Sequence, residues 1–246
     1  MLKSFNFKLS TSKILFLSFL GTSSLVATSP SHAITLDPSN WNSFGDVITS
    51  PQQVSLTNAF SDGFDDAENF NLSSNDPLSG VDLEFNLGLP DFSLDPDPTN
   101  FVGATEGSAI KTIVTVQTGD VLSFNWNFLT NDSSFNPEGV GDYAFLQVND
   151  TLVTLGDTNS SLGLSSTNFI KETASQNFSY TFSADGAYSL GLGIVDVIDT
   201  SNSSALVVDN IQVKAPDILV KTPEPATIFG LIISVGSLGF LKRIKE

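Results

Sequence analysis

The chain contains no cysteine, and its one histidine, His32, stands near the start. No disulfide can hold the fold, so stability has to come from an apolar core or from bound metal. Without imidazole or thiolate beyond position 32, Ser-His and Cys-His nucleophilic sites and zinc sites built on those ligands are excluded for the rest of the chain. Cations are scarce as well. Twenty-five of the 27 acidic residues fall between positions 34 and 221, against four lysines (Lys111, Lys171, Lys214, Lys221), so that stretch carries −21. A surface this acidic repels nucleic acid and anionic lipid, which are rejected as partners. It favours divalent cations or simple solvation instead. No Asp-x-Asp-x-Asp-Gly loop occurs, which excludes an EF-hand.

Long apolar runs are confined to the two ends. Lys3, Lys8 and Lys13 precede the run Ile14–Leu20, and small polar residues follow up to Ser31-His32-Ala33. A charged region, a short apolar region and small residues at a cleavage position make a secretory signal peptide over 1–33, cut after Ala33 by signal peptidase. An uncleaved anchor is the alternative. At the other end, Pro223-Glu224-Pro225 leads into the apolar run Ala226–Leu241, followed by Lys242-Arg243-Ile244-Lys245. That run has 16 residues, just under the ~17–25 of a spanning helix. Proline suits the turn before a helix, and the basic end belongs on the cytoplasmic side. The expected organisation is therefore a signal peptide (1–33), an extracytoplasmic domain (34–220) and a membrane-engaging tail with a transmembrane helix (221–246).

The tail resembles the PEP-CTERM sorting signal of Gram-negative bacteria, whose three parts it matches at Pro223-Glu224-Pro225, the apolar stretch and Lys242-Arg243. The resemblance implies export and brief retention in the inner membrane. It further implies processing near the Pro-Glu-Pro by an exosortase-like peptidase, then delivery to the cell surface or extracellular matrix, often with exopolysaccharide. It covers about the last tenth of the chain and is silent on the domain. A plain C-terminal anchor is the alternative.

Between the ends, residues 34–100 read as irregular and rich in turns, with short apolar pieces such as Val81-Asp82-Leu83-Glu84-Phe85. Phe92–Pro98 is a loop, because its prolines bar a central strand. From Phe101 the pattern sharpens. Ala109–Gln117, Val121–Leu129, Tyr143–Val148, Leu152–Leu155, a strand through Phe178, Tyr180 and Phe182, Tyr188–Val197 and Ala205–Val213 alternate apolar with polar residues. Turn signals at Gly119-Asp120, Asn149-Asp150 and Ala184-Asp185-Gly186 separate several of them. Period-2 alternation at this spacing predicts an all-β fold, an antiparallel β-sandwich in one domain. No interior segment reads as a helix.

Gly119–Trp126 and Ala205–Val213 are similar to segments of the jelly-roll sandwiches of carbohydrate-binding modules. The resemblance implies a jelly-roll-like sandwich and, at the position of Asp209, a carboxylate that helps hold structural Ca2+ with acids from near the domain's start. Here Asp62, Asp65, Asp66, Glu68 and Glu106 are the candidates. A carboxylate among Leu206, Val207, Val208 and Ile211 is costly unless paired or bound to metal. A capping hydrogen bond or a solvent-facing strand end would explain Asp209 equally.

Asp196 and Asp199 end the long strand, and Asp132 and Asp142 bracket a loop with Asn131, Asn136 and Glu138. If the strands 121–129 and 188–197 share a sheet, these acids form a second cation site or a ligand rim; as turn residues they need no function. Trp126, in phase with Phe124 and Phe128, is expected in the core, and Trp41 is the better candidate for exposure. Paired carboxylates can hydrolyse glycosides without histidine, but no pair stands out. The expectation is a non-catalytic, polysaccharide-associated binding or structural module, with a calcium-dependent glycoside-active enzyme as the alternative.

Overall fold

In the computed structural model, which describes residues 33–62, 70–132, 141–198 and 200–216, the alternating segments form strands. In chain order these are β1 (Ala33–Thr35), β2 (Asn42–Phe44), β3 (Asp46–Thr49), β4 (Gln53–Thr57), β5 (Leu78–Ser79), β6 (Ala104–Val116) and β7 (Val121–Thr130). They continue as β8 (Tyr143–Val148), β9 (Thr151–Asp157), β10 (Gly163–Leu164), β11 (Lys171–Glu172), β12 (Gln176–Thr181), β13 (Gly186–Val197) and β14 (Ser204–Lys214). One sheet orders β10-β11-β7-β14-β4-β3, with β1 on β14 and β12 on β7; the other orders β2-β6-β13-β8-β9, with β5 on β6. Every strand pairing is antiparallel. The inner faces meet in one apolar core. Phe124, Phe128, Leu206 and Val208 come from the first sheet, and Ile110, Leu146, Leu192 and Ile194 from the second. The chain is an all-β sandwich, and the described residues fall in one compact unit.

The second sheet is buried on its outer face too. Ala109, Phe145, Val195 and Val197 point away from the main core and pack with Leu83, Leu87, Leu89, Leu94 and Val102 in a second apolar cluster. That cover is carried by an α-helix, α1 (Gly80–Leu87), where the sequence reading expected irregular chain. Val81-Asp82-Leu83-Glu84-Phe85 alternates like a strand, which hid the helical pair Leu83 and Leu87. The local signals were present. The Ser79 side chain accepts from Asp82 N, and Gly88 closes the C-terminus in the left-handed conformation at φ 70°, as capping chemistry requires. Lys111 Nζ donates to the terminal carbonyl of Leu87, and Gln147 Nε2 reaches the same oxygen at 3.1 Å. A cation is favoured there by the helix dipole. Glu84, buried on the other side of α1, accepts from Phe92 N at 2.9 Å and Leu94 N at 2.8 Å, pinning the 88–94 loop over the sheet.

The strand expectations from Val121 onward match to within a few residues, and β6 begins five residues before the expected Ala109. Trp126 packs half-buried against the main core, as expected. So does Trp41, the better candidate for exposure from the sequence. Three lysines lie in strands with a neighbour on each side. Lys111 faces Asn42 and Gly191, Lys171 faces Leu164 and Thr130, and Lys214 faces Ala33 and Val121.

Burial on two faces leaves no room where glycine stands between layers. A Cβ at Gly107 would lie 2.3 Å from the Ile194 carbonyl oxygen of the paired strand β13 and 3.0 Å from Leu83 Cδ2 of the covering helix, whereas one at Gly163 meets nothing within 4 Å. Gly107→Ala is expected to cost about 1–3 kcal/mol of stability. Gly163→Ala should stay within roughly 0.5 kcal/mol of the parent. Urea denaturation of both variants checks the contrast; equal midpoints would refute the two-faced packing at Gly107.

Candidate functional site

The strands 121–129 and 188–197 belong to opposite sheets, β7 and β13, so the condition set for a shared edge is not met. Their ends nevertheless reach the same end of the sandwich. There Asp142 at the start of β8, Asp196 near the end of β13, Ser204 at the start of β14, Thr130 at the end of β7 and Asn58 just past β4 converge. All five are buried. Asn58 is the hub: its Nδ2 donates to Asp142 Oδ2 at 3.2 Å and to Asp196 Oδ2 at 3.3 Å. Its Oδ1 accepts from Ser204 N at 2.7 Å. Ser204 Oγ lies 2.6 Å from Asp142 Oδ2 and 2.9 Å from Thr130 Oγ1. Asp142 Oδ1 accepts from Val197 N at 3.2 Å. Asp132, half-buried, is close enough for its charge to act on Asp142. Asp199 and the loop residues Asn136 and Glu138 lie outside the described residues.

Burial pushes the Asp142 carboxyl up from its ordinary 3.8 to about 7; the Asp132 charge adds to the rise, and the hydrogen bonds from Ser204, Val197 and Asn58 oppose it. The site thus holds two carboxyl groups in a dry, hydrogen-bonded pocket, one of which takes a proton near neutrality. What this arrangement does most directly is tie five strand ends together.

The calcium set implied by the jelly-roll resemblance is arranged differently. Asp209 sits on the outer face of β14, half-buried, and its Oδ1 accepts from Asn125 Nδ2 at 2.9 Å and Asn210 Nδ2 at 2.6 Å. The register of β14 against β7 shifts between Asp209 and Gln212, and Asn210 takes φ 55°. This bulge keeps Leu206, Val208, Ile211 and Val213 all facing the core while turning Asp209 outward. The carboxylate that looked interior in the sequence is paired at the surface. Asp209 is in register with Gln53, and Asp62 follows the far end of β4, which faces Ala205. Four residues of strand separate the two levels, roughly 13 Å. Glu106 belongs to β6 in the other sheet and faces Ser79. Asp65, Asp66 and Glu68 lie outside the described residues. Asp209, Asp62 and Glu106 do not converge, and no group of three or more acidic or imidazole side chains among the described residues is placed to hold a metal ion.

Two carboxylates that the sequence reading passed over organise loops. Asp46, fully buried, accepts from Leu72 N at 2.8 Å, from Ser73 N and Oγ at 2.6 Å, and from Thr57 Oγ1. Asp95 accepts from Ala104 N at 2.9 Å and lines a surface cavity of about 360 Å³ with Ser93, Tyr143, Thr154 and Asp157. Tyr143 donates to the Leu94 carbonyl at 2.6 Å. Burial, and then the charges of Asp95 and Glu84, raise its hydroxyl well above the usual tyrosine range. Two carboxylates, hydroxyl groups and a tyrosine around a shallow cavity can accept and donate hydrogen bonds to a polyhydroxylated ligand. An aspartate inside a short apolar segment, as in Asp46-Val47-Ile48, was the one signal for the first of these.

Of the remaining residues singled out in the sequence, Ala33 opens β1 opposite Lys214. Pro223, Glu224, Pro225, Lys242 and Arg243 lie outside the described residues, as does the apolar run 226–241. No helix among the described residues is long and apolar enough to cross a membrane.

No family model and no curated protein matches the chain. Among solved structures, it is similar to a β-glucosidase from Kluyveromyces marxianus at 13% identity and a TM-score of 0.29, over 69% of this chain. The chain spans 18% of that enzyme's length.

The raised acidity constant of Asp142 has a definite sign. Between its unfolded and folded values the native state binds the extra proton, so this residue's stabilisation is full below about pH 3.8 and is lost as pH rises to about 7. Asp142→Asn cannot ionise. Its melting temperature relative to wild type is therefore expected to rise from pH 4 to pH 7 and to level off above pH 8. A difference that does not change with pH would refute a buried, titrating Asp142.

Proposed function

We propose that this chain is an exported surface or matrix protein, sorted through its Pro223-Glu224-Pro225 tail. Its sandwich serves outside the cytoplasm as a non-catalytic, polysaccharide-associated binding or structural module of jelly-roll type. The carrying observation is the arrangement of the chain. An export signal and a Pro-Glu-Pro/apolar/basic tail flank a body of −21 charge whose described part is a β-sandwich with a filled core. Signal peptidase and an exosortase-like peptidase are the implied partners, with the inner membrane a transient station.

The engagement of both carboxylates at the best-built polar cluster among the described residues supports the binding reading. Asp142 and Asp196 are both buried and engaged with Asn58, so they do not face a substrate across open space. The shallow cavity at Ser93, Asp95, Tyr143, Thr154 and Asp157 offers the hydroxyl and carboxylate groups that a sugar chain needs.

Mass spectrometry of the protein recovered from the cell surface tests the reading. The expected N-terminus is Ile34, and the expected C-terminus lies near Pro225. A surface form that retains Lys3 refutes signal cleavage. One that retains the Lys242-Arg243 peptide refutes processing and leaves a permanent anchor in its place.

A further inference from the structure

The buried cluster at the end of the sandwich brings a hydroxyl, a carboxamide and a carboxyl group together, and neither sorting nor ligand binding uses them. Asn58 directly follows β4, and Ser204 opens β14 opposite it: Ala205 pairs with Thr57, and Asn58 N donates to Ser204 O at 3.2 Å. Ser204 N donates in turn to the side-chain oxygen Asn58 Oδ1 at 2.7 Å. Ser204 Oγ donates to Asp142 Oδ2 at 2.6 Å, and Asn58 Nδ2 donates to that same oxygen at 3.2 Å. These contacts close a circuit from Ser204 N through the Asn58 carboxamide and Asp142 Oδ2 back to Ser204 Oγ. The hydroxyl thus stands across a small ring from the carboxamide carbon. Ser204 is fully buried, and Asn58 and Asp142 are 2% and 4% exposed, so the circuit is closed to bulk water.

We propose that Ser204 Oγ condenses with Asn58 Cγ, releasing ammonia and leaving an ester that joins β14 covalently to the end of β4. Each step has a group in place. Asp142 Oδ2 takes the proton from Ser204 Oγ as that oxygen attacks Asn58 Cγ and a C–O bond forms. The negative charge gathering on Asn58 Oδ1 falls beside the Ser204 N–H, which points at it in the resting structure. The Cγ–Nδ2 bond then breaks, and Nδ2 departs with the proton that Asp142 took. Hydroxyl and carboxamide become ester and ammonia, and no oxidant, water or cofactor enters.

Three features favour this chemistry over a passive network. The entering oxygen and the leaving nitrogen share one carboxyl oxygen, so a single group moves the proton from one to the other. Burial pushes that carboxyl up to about 7, where it both accepts and gives up a proton near neutrality. The two reacting side chains are also held from behind. Asp196 Oδ2 accepts from Asn58 Nδ2 at 3.3 Å, and Thr130 Oγ1 lies 2.9 Å from Ser204 Oγ.

The inference does not depend on the sorting reading. Its consequence is a covalent tie between residues 146 positions apart. With it in place, β4 and the edge strand β3 cannot peel away from β14. In a chain without cysteine the ester does the work of a disulfide, restricting the unfolded chain.

Trypsin makes the test direct. Asn58 precedes Lys111, and Ser204 lies between Lys171 and Lys214, so digestion of the denatured full chain separates the two residues unless they are joined. Mass spectrometry should find the two fragments linked in most molecules, about 17 Da lighter than their sum, the mass of the ammonia lost when a hydroxyl displaces an amide nitrogen. Mild alkali should part them and leave an acid in place of the Asn58 amide. Ser204→Ala should give no linked species, and Asp142→Asn at least about tenfold less than wild type. Wild-type fragments that run separately at their sequence masses overturn the proposal. So does ammonia loss confined to the fragment with Asn58, which is ring closure of an asparagine onto its own backbone. A linked species that persists in Ser204→Ala, or is undiminished in Asp142→Asn, overturns it as well. If a variant fails to fold, the wild-type fragments still decide.

Discussion

The strands β6, β13 and β8 must be apolar on both faces, and much of the molecule follows from that requirement. A sheet with one wet face needs only alternation. Here Ile110, Leu192, Ile194 and Leu146 serve the core between the sheets, while Ala109, Val195 and Phe145 need a second cover. The helix α1 and the 88–103 loop supply it. Their backbone polar groups are then satisfied from below, by Glu84 for the loop amides and by Lys111 and Gln147 for the helix terminus. Glycine is required where the helix presses on the sheet, as at Gly107 under Leu83. In a chain with no disulfide, this double burial takes the place of a covalent staple.

The acidic composition is handled in two ways. Most of the described carboxylates are exposed or half-buried, where solvent screens their mutual repulsion. A few are drawn inward and given backbone donors: Asp46 holds Leu72 and Ser73, Glu84 holds Phe92 and Leu94, and Asp142 holds Val197. These buried acids act as fasteners between elements distant in sequence. Asn58 does the same from the neutral side, with donor and acceptor used at once.

The alternation from Val121 onward was enough to place the later strands, because one side of each faces a single continuous core. It failed where two cores compete. Val81–Phe85 alternates because Leu83 is the one apolar residue of the stretch that points inward while Val81 and Phe85 are exposed on a helix, and period 2 and period 3.6 coincide over so short a stretch. Asp209 misled for a related reason: the bulge at Asn210 resets the parity of the last strand, so residues that look like one apolar run divide between two faces. The acids at Asp142 and Asp196 come together through Asn58, with Asp132 close by, and not through a shared sheet as the strand pattern suggested. Asn58 could not be found from sequence, since it lies in the turn-rich first third, where asparagine is the ordinary residue.

The placement of the lysines bears on how long such a domain lasts. A trypsin-like protease needs a basic residue in a segment that can be drawn out into its active site. Between positions 34 and 216 there are three such residues and no arginine. Each of the three is paired on both sides. Lys111 lies in the middle of the long strand β6, so cleavage there waits on loss of the sandwich itself. Sparing use of basic residues is then a form of durability written into composition and register together.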